Sequence, residues 1–131
     1  MWILFTSASP HKKRARWLAI AWTLLIFILC LLPGNELPKV NLPFIDKWAH
    51  VILFAGFSFL WLCAGPTARI TNLFILLLVS IFIGWLVEYI QGAFVPGRYQ
   101  DNMDTLADAI GGLAGILLFV LLYYYARSKA V

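Results

Sequence analysis

A small set of polar residues, set among long apolar runs, has the types and spacings that chemistry requires. Asp46, Lys47 and His50 fall within one helical turn or so of each other, as do Glu88 and Gln91, and Asp104 and Asp108. Residues three or four apart share a helix face, so each group presents its side chains in one direction. Arg98 stands alone in a Pro-Gly-Arg-Tyr segment between the second and third groups. Carboxylates and an imidazole are ligand types for a divalent cation and partners for general acid-base chemistry. Lysine and arginine can hold phosphate or carboxylate, while glutamine serves sugar or amide groups. No metal-protease, phosphatase, nucleophile-elbow or phosphate-loop signature accompanies them, so no metal site is assigned, and no cofactor or catalytic residue is named.

The runs that must carry these residues are too apolar for a soluble globule. The chain has 131 residues, 63% of them hydrophobic and 12% charged, against roughly a quarter charged in an ordinary soluble domain. Apolar segments at 17–32, 46–64, 70–94 and 104–125 are separated by short connections with Gly65-Pro66 and Pro96-Gly97 as breakers. The expected fold is all-α: a polytopic membrane protein with a four-helix transmembrane bundle and short loops, residues 17–126 forming the membrane domain. The first run could instead be the core of a signal peptide, but Pro33-Gly34-Asn35-Glu36 offers no small-x-small cleavage pattern, and it is taken as a retained helix. Cys30 and Cys63, with bulky neighbours, read as packing residues.

The formal charge of +4 does not indicate nucleic acid, because the basic residues gather in His11, Lys12, Lys13, Arg14 and Arg16, ahead of the first run. Segment 1–16, Arg69, and the tail 127–131 with Arg127 and Lys129 all favour the cytoplasmic side, so both termini are expected inside. The other two loops carry Glu36, Lys39, Arg98 and Asp101, near zero in sum, and belong outside. On that topology every polar group lies toward the outer face. At about 1.5 Å per residue, Glu88 sits roughly 9 Å below the end of its helix, and His50 and Asp108 roughly 6 Å below the starts of theirs, a shallow outward cleft. Gly111 and Gly115 continue the Asp104-Asp108 face in a small-xxx-small spacing, and Gly84 lies one turn before Glu88, so these glycines are expected to let helices approach closely.

Plainer roles compete for each residue. Asp46 and Asp104 at helix starts suit capping, Lys47 can snorkel, Arg98 can be solvated, and His50 can pack. Glu88 resists such a reading, because an acid below the interface costs about +2.5 to +3.5 kcal/mol at a helix centre on insertion scales unless paired or protonated.

In this order, Asp46-Lys47 with His50, Glu88 with Gln91, Pro-Gly-Arg ending at Arg98, then Asp104 with Gly111 and Gly115 behind it, the residues resemble the VanZ-like family of bacterial membrane proteins. The resemblance covers roughly residues 46–115 and departs at Asp108, where the family pattern more often carries Asn. It implies a bacterial plasma (inner) membrane location, and it links the chain to a family named for lowered susceptibility to teicoplanin, a lipid-tailed glycopeptide. The expected partners are membrane lipid and an outer-leaflet amphiphile, a lipid-linked envelope precursor or a lipoglycopeptide, with association into homo-oligomers through the glycine face also open. A membrane-embedded enzyme, an ion path cycling charge on Glu88, and a structural subunit are the competing expectations.

Overall fold

The computed structural model describes residues 11–33, 43–65 and 69–129. Glu36 and Lys39 of the first loop, Pro66, and the outermost parts of the two terminal segments lie outside the described residues. Four helices follow in order: α1 His11–Cys30, α2 Ile45–Ala64, α3 Ile70–Phe94 and α4 Asn102–Ser128. Among the described residues there is no strand. Three of the helices, α2, α3 and α4, are long and apolar enough to cross a membrane; at 20, 25 and 27 residues they extend about 30 to 40 Å. α1 begins earlier than its apolar run. His11 to Arg16 form its first turns, because lysine, arginine and alanine are good helix formers, and the apolar part starts at Trp17.

α2 is the centre of the assembly. It packs most extensively on α4 and then on α1, while α3 leans on α4 and touches α2 little. Lipid tails are as apolar as leucine, so close packing and polar contacts between helices must hold such a bundle together. One apolar cluster joins α1, α2 and α3 through Ile26, Cys30, Leu53, Phe54, Phe57 and Val87; a second joins α2 and α4 through Leu62, Ile116 and Phe119. The Trp22 indole donates to the Leu53 carbonyl at 2.8 Å, and Trp61 donates to the Thr23 hydroxyl at 3.1 Å, so α1 is tied to α2 by side chains as well as by packing. Gly56 makes room for Trp22: a Cβ there would stand 2.6 Å from its indole. α3 keeps Phe74, Leu78, Phe82 and Trp85 outward, a face suited to lipid.

Two turns decide where the polar groups go. α3 stops where Pro96 forbids its continuation, leaving Val95 extended at φ −101°, ψ 117°. Gly97, at φ 73°, supplies the left-handed residue of the turn, closed by the Arg98 amide donating to the Val95 carbonyl at 3.2 Å. The chain therefore doubles back over the end of α3, and Arg98 comes with it. α4 then starts at Asn102, two residues before Asp104, because Asp101 is the N-cap and its carboxylate accepts from the Met103 amide at 2.8 Å. α2 starts without a side-chain cap at Phe44, and Asp46 in its first turn faces the positive end of the helix dipole.

Candidate functional site

The start of α2, the end of α3, the start of α4 and the end of α1 meet at one end of the bundle. Lys47 lies between α2 and α4, and its ammonium donates at 2.8 Å to Asp101 Oδ2 and at 2.8 Å to Asp104 Oδ1. Asp104 is buried, whereas Asp101 is partly exposed at the rim. Lys47 holds the Asp101 carboxyl below the ordinary range for aspartate, with the Met103 amide adding to the effect.

One turn deeper, His50 is buried between two acids. Its Nδ1 lies 2.8 Å from Asp108 Oδ1 and its Nε2 lies 3.9 Å from Glu88 Oε1. Glu88 and Asp108 are wholly buried. The second oxygen of Glu88 accepts from the backbone amide of Asp101 at 3.0 Å, which pins the α3–α4 connection onto the acid. Glu88 Oε1 and Asp108 Oδ2 have no hydrogen-bond partner among the described residues. Asp108 is pressed against Gly84 of α3, where a Cβ would fall 2.6 Å from its carboxylate.

Arg98 sits above this layer with its side chain largely covered. Its Nη1 is 3.9 Å from Asp46 Oδ1, and its buried Nε has no hydrogen-bond partner among the described residues. Asp46 is half exposed. Gln91 turns away from the acids and donates its amide to the Cys30 carbonyl, which would otherwise be an orphan at the C-terminus of α1. Gln91 thus docks α1 against α3, while Asp46, Lys47, His50, Glu88, Arg98, Asp104 and Asp108 face one another.

The α2–α4 crossing that brings these groups together rests on glycine. A Cβ at Gly111 would land on the Val51 carbonyl, and one at Gly115 on the Ala55 carbonyl. The small-xxx-small face of α4 is therefore covered by α2 of the same chain. Below it, Gly112 faces Ser80 and Ser58, two buried hydroxyls that the sequence did not single out.

Asp101 is the other residue that sequence reasoning passed over, counting it as loop charge. The signal was present: an Asp two residues ahead of an apolar run's first amides, with an acid three positions on, is an N-terminal pattern. Together the acids Asp46, Glu88, Asp101, Asp104 and Asp108 face Lys47 and Arg98, an excess of three negative charges among the described residues before His50 is counted. Three of these acids, Glu88, Asp104 and Asp108, are buried, which is costly without a compensating cation, proton or ligand.

Membrane-length apolar helices around a buried, charged and incompletely paired end define a helical membrane protein with a polar site. The family model described as VanZ/LLP1 matches residues 1–123. The chain belongs to that family, in agreement with the resemblance carried by its polar residues. No curated protein and no solved structure matches it.

Proposed function

We propose that this chain is a four-span, multi-pass protein of the bacterial plasma membrane, with both termini cytoplasmic, whose polar end faces outward and binds a cell-envelope amphiphile. The basic residues supply the orientation. His11 to Arg16 begin α1, Arg69 precedes α3, and Arg127 and Lys129 end α4, all at the end of the bundle away from the acids, where the positive-inside rule puts cytoplasmic charge. The apolar part of α1, Trp17 to Cys30, rises about 21 Å at 1.5 Å per residue. Arg14 and Arg16 can snorkel to make up the rest of a hydrocarbon core of about 30 Å.

One observation carries the ligand class. A cavity of about 170 Å³ is lined by Asp46, His50 and Arg98 together with the apolar residues Leu29, Ala49 and Leu53. The covered guanidinium suits an anionic headgroup, and the apolar lining residues suit the chain attached to it. A second groove, of about 370 Å³ between α2 and α4, is almost wholly apolar, with Trp48, Val51, Leu106 and Ile110 along it and Lys47 at its head. It offers further room for an acyl or prenyl tail. A lipid-linked envelope precursor and a lipidated glycopeptide both combine these two chemistries.

The test is native mass spectrometry of gently purified protein with extraction of bound lipid, comparing wild type with Arg98→Ala. The expected outcome is an anionic amphiphile on the wild type that is depleted from the folded variant. The same species in equal amount on both proteins refutes the reading.

A further inference from the structure

We propose that Asp46, His50 and Asp104 form a site for one divalent first-row transition-metal ion, with Asp108 fixing the imidazole from behind. Ligand atoms of these three residues lie within 4.8 Å of one another. Ions of this class take nitrogen and carboxylate donors at about 2.0–2.2 Å, so two donors on one tetrahedral ion stand about 3.4 Å apart. The widest spacing must shorten by up to about 1.4 Å to reach that geometry. Asp46, half exposed and held by a 3.9 Å contact to Arg98, is the side chain free to make that movement.

The second shell already has the required form. Metal-bound histidines characteristically donate their other ring N–H to a carboxylate, which sets the tautomer and aims the ring. His50 Nδ1 lies 2.8 Å from Asp108 Oδ1. With that carboxylate ionised, the bond puts the proton on Nδ1 and leaves the lone pair on Nε2.

The independent sign of a ligand at this place is Glu88. It is wholly buried, its Oε1 has no hydrogen-bond partner among the described residues, and that oxygen stands 3.9 Å from His50 Nε2. An unpaired, buried carboxylate oxygen beside that nitrogen adds negative potential where the ion would sit. The charge balance points the same way, because a divalent cation would remove most of the local negative excess. Imidazole with carboxylates suits Zn²⁺ or Mn²⁺ better than the all-oxygen shells of Mg²⁺ or Ca²⁺. The proposal stands on this geometry and not on the amphiphile reading, although an ion here would border the same cavity.

The experiment is equilibrium binding of Zn²⁺ and, separately, Mn²⁺ to the full chain in lipid nanodiscs, prepared without chelator. Isothermal titration gives the affinity, and elemental analysis after desalting gives the retained stoichiometry. Wild type should bind about one equivalent of at least one ion. Asp108→Asn should bind it about 10- to 100-fold more weakly, the effect typical of losing a second-shell carboxylate. His50→Gln and Asp104→Asn should abolish retention. Asp46→Asn perturbs only the half-exposed ligand, so it tests the site even if the buried variants fail to fold, and it should weaken binding at least about tenfold. No stoichiometric binding of either ion by wild type overturns the proposal, as does wild-type affinity in folded Asp46→Asn. Neither result depends on whether a lipid copurifies.

Discussion

Replacing Gly111 by alanine tests the crossing on which the whole polar end depends. A Cβ at this position would fall on the Val51 carbonyl and stand 2.9 Å from Val51 Cα and 3.0 Å from its carbonyl carbon. These are backbone atoms of α2 and cannot rotate aside, so α4 must move away as a body. Overpacking of this kind costs about 1–3 kcal/mol, against a helix-propensity gain of about 0.8–1.0 kcal/mol for exchanging glycine for alanine. Because the obstruction is main chain, the upper part of the range applies, and the expected net loss is about 2 kcal/mol, roughly a 30-fold fall in the folded-to-unfolded ratio. Gly112→Ala is the matched control on the same helix. Its Cβ would meet the Ser80 and Ser58 side chains, with Ser80 Cβ at 3.0 Å. Hydroxyls can turn away, so this variant should remain within about 1 kcal/mol of wild type, the propensity gain offsetting a small squeeze. Equilibrium unfolding in mixed detergent micelles measures both. If Gly111→Ala proves as stable as Gly112→Ala, the α2–α4 interface does not rest on close backbone approach.

Lys47→Met leaves Asp104 buried beside Asp101 without its cation, and should destabilise the protein by about 1–3 kcal/mol, below the 3–5 kcal/mol of a fully buried pair because the lysine is partly solvated. The same unfolding assay should find the Lys47→Met, Asp104→Asn double variant more stable than Lys47→Met alone, and no such recovery refutes the pairing. Asp101 has a native carboxyl pKa below its unfolded value, so its contribution is present above about pH 4 and is lost as pH falls through the lowered native value. Amide-exchange protection at Met103 should decline over that acid window and lose the dependence in Asp101→Asn; unchanged protection in wild type counts against the cap.

The helices were largely legible because composition and breakers speak for themselves: runs as apolar as 70–94 have few alternatives, and Pro96-Gly97 ends a helix by removing a donor and supplying a positive φ. Helix starts were less so. The reading from hydropathy began α1 at residue 17, although Lys12 to Arg16 are helix formers that extend it backward to His11. It began α4 at 104, although Asp101 caps it. For the candidate site, helical spacing indicated which residues share a face but not what each face meets. Gln91 shares a face with Glu88 by spacing, yet one turn further along α3 its side chain meets the end of α1. Gly111 and Gly115 announced a close approach without naming the helix, which is α2 of the same chain. Contacts of Lys47 and His50 with α4 span more than fifty residues of sequence, and no local pattern encodes such pairings.

The distribution of unsatisfied groups separates a lock between helices from a site. A purely structural polar layer would be expected to close its hydrogen bonds, since each buried group left open costs about 1–3 kcal/mol, and charged groups more. Ser58 and Ser80 in the middle of the bundle have no hydrogen-bond partner among the described residues, but a serine in a helix can turn its hydroxyl to the carbonyl one turn back, so the cost there is small. Glu88 Oε1 and Asp108 Oδ2 have no such recourse, and neither has the Arg98 Nε. These expensive vacancies of pairing collect at the one end where acids outnumber cations and where a cavity reaches Asp46, His50 and Arg98. Stability alone would favour apolar residues of similar volume in these places. Charges kept buried and incompletely paired beside a cavity are therefore better explained by something that enters it, a cation, an anionic headgroup or both, than by the packing of the helices.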